Sequence, residues 1–303
     1  MRCRMNHQLT AREKVGGHLL AILTIVVWGT TFIATKLLLS AYSPIQIMVM
    51  RFTLAYVVLW LLHPKPLLIS FREEGKFFLL GLFGCTLYFL TENSALNYTY
   101  AANVSIILSA APILTAWLAH LFLKGQERVG RNNVIGFLVA FAGIVMVVFN
   151  GTVVLQLNPL GDLLSLGSAL SWAIYSILLG PVLARYDSIR TTRRLILWGL
   201  ITSLPVAIAE GSAFSLAPLR DGTLLFCILF LGVLGSGVCY VTWNVATKRL
   251  GVVITNNYIY VSPFITMLTA AVVLQEQVTL MGVIGAALII CGVVFSDKSS
   301  AKS

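Results

Sequence analysis

The sequence predicts an all-α polytopic membrane protein, with ten transmembrane helices arranged as two inverted five-helix repeats. Three observations lead there: too little charge for a soluble surface, cations confined to alternate loops, and similarity between the two halves of the chain. Of 303 residues, 58% are hydrophobic and 11% charged, where a soluble domain carries roughly 25% charged residues. A soluble fold of this length needs a polar surface that 21 Lys and Arg with 11 Asp and Glu cannot supply. Mean hydropathy is +0.90, and apolar runs near twenty residues recur from end to end. In a soluble chain the formal net charge of +10 would point to nucleic acid; here the cations sit between apolar runs, so no nucleic-acid partner is expected.

Runs bounded by charge, Pro, Gly or Asn place spans near 19–40, 44–62, 75–97, 101–123, 133–150, 161–183, 193–210, 222–247, 253–275 and 279–296. Each can cross roughly 30 Å of hydrocarbon at about 1.5 Å per residue, allowing for tilt. Apolar residues run continuously rather than alternating, and backbone groups in lipid must be paired within the segment, so the spans are helices rather than strands. The organisation expected is a cytoplasmic tail 1–18, a first repeat 19–150, an external linker 151–160, a second repeat 161–296 and a cytoplasmic tail 297–303. The basic start could pass for a signal peptide, but the first span is too long for such a segment and belongs to the repeat.

Eighteen of the 21 cations fall in the tails and in the loops after spans two, four, six and eight. The opposite loops carry only Arg220, while Lys36 and Arg51 lie inside spans. This asymmetry predicts that both termini are cytoplasmic. One missed or invented helix would scramble the partition, so it supports the span count as well.

An offset of 151 aligns Thr91 with Thr242, Asn93 with Asn244, Ala95 with Ala246, Pro112 with Pro263, Thr115 with Thr266 and Ala119 with Ala270. An offset of 149 aligns Glu127 with Glu276, Gly136 with Gly285 and Gly143 with Gly292, and one of 144 pairs Trp28 with Trp172 and Tyr42 with Tyr186. The chain therefore reads as one five-helix unit written twice. Because five is odd, the second copy enters the membrane from the other side. Halves related by a pseudo-two-fold in the membrane plane can exchange conformations between inward-open and outward-open states, as secondary transporters do.

A charge at the bilayer centre costs about 2.5–3.5 kcal/mol on insertion scales, so each intramembrane charge needs a reason. Lys36 stands near the outer end of span one, Arg51 about 10 Å below the outer edge of span two, and Glu92 near the outer end of span three. Glu92 is expected to pair with Arg51 or Lys36 in a polar site facing a central cavity; the alternatives are a structural ion pair and, for Lys36, snorkelling to the headgroups. Trp28 and Trp172 occupy equivalent mid-span positions. Pro112 and Pro263 are expected to act as hinges, freeing the carbonyls of Leu108 and Ile259. Spans 1, 3, 4, 6, 8 and 9 would line the cavity. Tyr88, Asn93, Tyr240, Trp243, Asn244, Asn256, Asn257 and Tyr260 are candidate substrate contacts, with interhelical hydrogen bonding as the competing role. Gly136, Ala140 and Gly143 on span five, with Gly285 and Gly292 on span ten, fit close helix packing. His120 reads as a satisfied structural histidine, and the five scattered cysteines as inert core thiols.

These residues resemble those of the EamA-type permeases of the drug/metabolite transporter superfamily. Trp28-Gly-Thr-Thr-Phe-Ile-Ala-Thr-Lys36 is similar to the family's Trp-Gly-small-x-Phe-x-x-x-Lys pattern, and Arg51-Phe52 to its Arg-Phe pair. Ala95-Leu96 with Pro112, and Ala246 with Pro263 and Leu274-Gln275-Glu276, are similar to its signatures on spans 3–4 and 8–9. Lys124-Gly125-Gln126-Glu127 departs from the usual Leu-Gly-Glu by two extra residues. The resemblance implies ten helices, cytoplasmic termini and export or exchange of small organic metabolites.

The function expected is that of a secondary transporter of small organic metabolites, amino acids or aromatic and amphipathic solutes among them, working by alternating access in a bacterial inner membrane. No Walker motif, metal-ligand spacing or cofactor motif is present, so no cofactor or metal is expected, and a proton gradient carried by Glu92 is one candidate driving force. A channel or lipid scramblase is the nearer competitor. An intramembrane enzyme fits less well, because Glu92 has no second carboxylate nearby. The partners expected are the small-molecule substrate and membrane lipid, with the chain a monomer or homodimer.

Overall fold

The computed structural model describes residues 10–67, 69–99, 101–122, 131–148, 158–211, 215–273 and 280–300. Among these residues the chain is helical without strands. The helices follow as α1 (Ala11–Leu38), α2 (Pro44–Leu62), α3 (Phe71–Gly81, then a π-helical stretch Leu82–Leu87, then Tyr88–Tyr98) and α4 (Ala101–Leu108, then Ala111–Phe122). The first half ends with α5 (Arg131–Val148). The second runs through α6 (Pro159–Leu183), α7 (Ser188–Glu210), α8 (Gly222–Leu229, a π-helical stretch Phe230–Val238, then Cys239–Leu250), α9 (Val252–Asn257, a 3₁₀ turn Tyr258–Val261, then Ser262–Val273) and α10 (Leu280–Ser300). Among the described residues, five helices (α1, α2, α6, α7 and α8) are long and apolar enough to cross a membrane. The expected Glu127, Glu276, Lys124–Gln126 and Leu274–Gln275 features, residues 151–157 of the linker, Cys3 and the ends of both tails lie outside the described residues.

Helix starts differ from the apolar runs because polar caps extend them. Thr10 Oγ1 accepts the Glu13 amide while Glu13 accepts the Thr10 amide, so α1 begins at Ala11, eight residues before the expected 19. Asp187 accepts the Ile189 and Arg190 amides and starts α7 at Ser188 instead of 193. Asn158 caps α6 ahead of Pro159. Asp221 accepts the Thr223 and Leu224 amides at the start of α8, which holds its carboxyl below the usual range. Gly251, at φ +89°, turns α8 into α9 in a backbone conformation that disfavours a side chain.

Each half docks onto the other through antiparallel pairs. In one pair, Ser168 and Ser171 of α6 donate to the Tyr88 and Phe83 carbonyls of α3. In the other, Thr24 of α1 bonds Thr242 of α8 at 2.7 Å and Trp28 donates to Gly235. The end of α3 therefore lies beside the start of α6, at Gly161, and the end of α8 beside the start of α1, at Gly17. These two pairs exchange under the repeat. The helices α5 and α10 press together through small residues. A methyl group on Gly143 would meet Gly285 O at 2.5 Å, and one on Gly292 would meet Gly136 O at 2.5 Å, the close approach the sequence anticipates.

Three expectations change. Neither Pro112 nor Pro263 sits inside a continuous helix: each is the second residue of a helical segment that restarts after a break. There a missing N–H leaves no bond unmade, and Ile259 O accepts the Ser262 amide rather than standing free. His120 is exposed on α4, not a buried structural histidine. Cys85, Cys227 and Cys239 are buried thiols, but Cys291 is exposed.

Candidate functional site

A cavity with about 600 Å³ of empty space, its open mouth included, lies between the halves. Its walls include Trp28 of α1, Arg51 of α2, Tyr88, Phe89 and Glu92 of α3, Ser105 of α4, Trp172 of α6, Tyr240 of α8 and Ser262 of α9. It thus draws on each of the six helices expected to line it, and on α2 as well.

Six of the fifteen lining residues are aromatic, from α1, α3, α6 and α8. Trp28 meets Trp172 edge-on at 5.3 Å, Tyr240 at 5.7 Å and Trp243 at 5.0 Å; Tyr88 meets Trp172 at 5.1 Å. Their polar atoms are tied down. The Trp172 indole donates to Asn256 Oδ1 at 2.9 Å, and the Tyr240 hydroxyl to Gly84 O at 2.6 Å. The hydrogen bonds orient these rings in a largely apolar box.

Two opposite charges enter this box. Arg51 is 1% exposed and Glu92 4%. The Arg51 Nε donates to Ser236 Oγ at 2.8 Å, and its guanidinium carbon lies 4.2 Å from the centre of the Phe89 ring, a cation–π seat. Glu92 interacts with the Arg51 charge and with the Tyr88 hydroxyl, while its Oε2 has no hydrogen-bond partner. No ion pair within 4 Å joins Arg51 to Glu92 among the described residues. The two charges share one cavity with a gap between them rather than closing on each other. Such an arrangement can hold a zwitterion or a solute carrying either charge.

The remaining predicted residues divide. Lys36 is exposed in the last turn of α1, away from the cavity, consistent with snorkelling. Asn93 is buried and donates to Pro44 O at 3.3 Å. Asn244 bridges Thr192 and Tyr175. Trp243 backs the aromatic wall without reaching the cavity surface. Asn257 is buried outside the cavity, and Tyr260 packs with Ala140 and Ile289.

Phe89, Ser105 and Ser236 were not singled out from sequence, nor were Gly84 and Gly235. The offset of 151 holds the missing signal, because it pairs Ser105 with Asn256, Cys85 with Ser236 and Gly84 with Gly235. Both glycines sit in π-helical stretches at equivalent places in α3 and α8, a feature frequent at functional sites.

Equivalent positions are bonded differently in the two halves. Trp28 donates to Gly235 O, whereas its counterpart Trp172 bonds Asn256 and leaves Gly84 O to Tyr240. Thr266 of α9 donates to Gly29 O at 2.9 Å. Its counterpart Thr115 is buried without a hydrogen-bond partner, as are Ser105 Oγ and Asn93 Oδ1, while Asn244 and Asn256 are engaged. The charges are unevenly divided too: Glu92 and Arg51 correspond to Trp243 and Leu195.

The EamA-like transporter family model matches residues 15–149 and again 159–296. An uncharacterized transporter of Archaeoglobus fulgidus is 28% identical over 284 residues, covering 91% of this chain and 95% of that one. A probable terminal-alkyne amino-acid exporter of Streptantibioticus cattleyicolor is 26% identical, covering 91% and 92%. A probable amino-acid metabolite efflux pump of Escherichia coli is 26% identical, covering 90% and 92%. A crystal structure at 20% identity superposes with a TM-score of 0.74 over 97% of this chain and 99% of that one, which establishes the shared fold. With two matched copies spanning nearly its whole length and apolar helices that cross a membrane repeatedly, this chain belongs to the EamA-like transporter family as an integral multi-pass membrane protein.

Proposed function

We propose that the protein exports zwitterionic, amino-acid-like metabolites by alternating access, and that Glu92 carries the coupling proton. One observation carries this reading: among the described residues, a buried carboxylate and a buried guanidinium line a single aromatic cavity with no ion pair within 4 Å between them. A free amino acid has the complementary pair of charges. Its carboxylate would take the Arg51 N–H groups not used by Ser236, and its ammonium would take Glu92 Oε2. An apolar or aromatic side chain would lie against Trp28, Tyr88 and Trp172. Two relatives are named for amino-acid or amino-acid-metabolite export, which favours the same solute class and the outward direction.

Alternating access is supported by the uneven bonding of equivalent residues. If the halves exchange conformations, Trp28 moves to the partner equivalent to Asn256, which is Ser105, and Trp172 moves to Gly84 O. Ser105 is buried, lines the cavity beside Trp28 and has a free hydroxyl. Thr115 then takes the bond Thr266 now makes. Buried polar groups without partners are costly, so an exchange that satisfies one half as it releases the other keeps the two states close in energy.

Counterflow in proteoliposomes tests the reading. Vesicles preloaded with an unlabelled amino acid should accumulate the labelled one transiently, and an imposed pH gradient should drive net movement. Linear, non-saturating flux without counterflow would mark a channel and sink the carrier assignment. Saturable counterflow unaffected by a pH gradient would leave the carrier and remove the proton.

A further inference from the structure

A second pocket, with about 430 Å³ of empty space, lies on the side that the cation distribution assigns to the cytoplasm. It is set between α2, the loop that follows it, and the first turns of α7, walled by Trp60, Pro64, Pro66, Arg190, Arg193 and Arg194. We propose that it binds the phosphoryl headgroup of an anionic phospholipid from the inner leaflet.

The lining carries three arginines and no acid. Arg193 is only 7% exposed and has no acidic partner among the described residues. It donates to the backbone carbonyls of His63 and Lys65, which anchor the loop but do not neutralise the charge. The Arg190 Nε is buried without a hydrogen-bond partner. Its nearest acid, Asp187, stands 3.8 Å away with Oδ1 already committed to two backbone amides. Arg194 is paired with Glu74, whose Oε2 also takes the Trp198 indole. Neither carboxylate lines the pocket: Arg190 and Arg194 lean on acids outside it, and Arg193 adds a charge that no acid among the described residues offsets. Guanidinium forks match phosphate oxygens geometrically, and basic pockets between helices at the cytoplasmic face are suited to anionic headgroups.

The setting selects a lipid over a soluble anion. Trp60 is 48% exposed, and Leu61 and Leu62 beside it on α2 are more exposed still, so the mouth of the pocket adjoins an apolar, outward-facing strip on which acyl chains can lie. Tryptophan at this level is an interfacial anchor. The pocket is also not a by-product of the duplication. An offset of 144 places Gln46, Val49 and Met50 at the equivalents of Arg190, Arg193 and Arg194, so the repeat does not supply such a cluster at the opposite face.

Thermal unfolding of the purified full chain in detergent tests this, with phosphatidylglycerol, phosphatidylcholine or inorganic phosphate added at matched concentration. Phosphatidylglycerol should raise Tm several degrees more than phosphatidylcholine, and inorganic phosphate should have little effect. Arg190→Gln leaves the loop anchor intact; it should keep the basal Tm and lose the phosphatidylglycerol excess. Arg193→Gln should lose that excess and lower the basal Tm as well; should it fail to purify, Arg190→Gln decides alone. Equal shifts from the two lipids, a full phosphatidylglycerol response in Arg190→Gln, or a phosphate shift matching the lipid's would each overturn the assignment.

Discussion

Glu92 and Arg51 have different neighbours, and their substitutions should behave differently. Glu92 contributes an unpartnered oxygen to the cavity. Glu92→Gln preserves size but removes the charge, so affinity for a zwitterion should fall about tenfold or more, the worth of roughly 1.5–3 kcal/mol for a hydrogen bond to a charged group. Stimulation by a pH gradient should vanish in the same variant, measured as labelled uptake into proteoliposomes. Arg51 is held by Ser236 on one edge and Phe89 on one face. Arg51→Lys retains the charge and loses both contacts, so it should not restore ligand-induced stabilisation in a thermal-shift assay; full restoration would mean that charge alone suffices. Ser105→Ala removes a hydroxyl that has no hydrogen-bond partner in this state. It should leave ligand stabilisation nearly unchanged while slowing counterflow, because its effect belongs to the exchanged state.

Among the helices, the tightest constraint lies where α5 crosses α10. A methyl group on Gly292 would approach Gly136 O and Ala140 N at 2.5 and 2.6 Å, and backbone atoms in the middle of a helix have little room to move aside. Gly292→Leu should therefore lower stability by about 1–3 kcal/mol or more, the range for overpacking, read as a drop in Tm. Gly75→Ala supplies the contrast. Nothing lies within 4 Å of the added carbon in α3, and replacing a helical glycine gains about 0.5–1 kcal/mol. The caps at Thr10, Asn158 and Asp187 explain why helices begin outside their apolar runs. Hydropathy reports where a segment meets lipid, whereas capping decides where hydrogen bonding starts. The breaks before Pro112 and Pro263 follow a related logic: proline marks the place, but the chain leaves the helix ahead of it and spends the missing N–H in a new first turn.

For the molecule as a whole, the two antiparallel pairings, α1 with α8 and α3 with α6, are what inversion of a repeat requires. Equivalent ends must then face opposite compartments. Reporter fusions or membrane-impermeant labelling at Tyr98 should report the outside, and at Arg249, its counterpart at an offset of 151, the cytoplasm. Both on one side would dismantle the inverted architecture and the alternating-access proposal with it.

Membrane helices, their duplication and the expected sidedness were legible in the chain because each rests on one-dimensional quantities: run length, cation count, and spacing between similar residues. The candidate charges Arg51 and Glu92 were legible as well, since any ionisable group in an apolar run is conspicuous. Which of the polar and aromatic residues meet was not. Trp243, Asn244 and Tyr260 are as prominent in sequence as Trp28 and Trp172, yet they turn into helix–helix contacts, and Lys36 turns outward. A helix presents a new face roughly every 100°, and sequence does not say which face looks inward until neighbouring helices have taken their places. The departures from symmetry that give the cavity its present shape come from the same source. Trp28 and Trp172 are identical as residues, and only the packing of the two halves decides that one holds a glycine carbonyl and the other an asparagine.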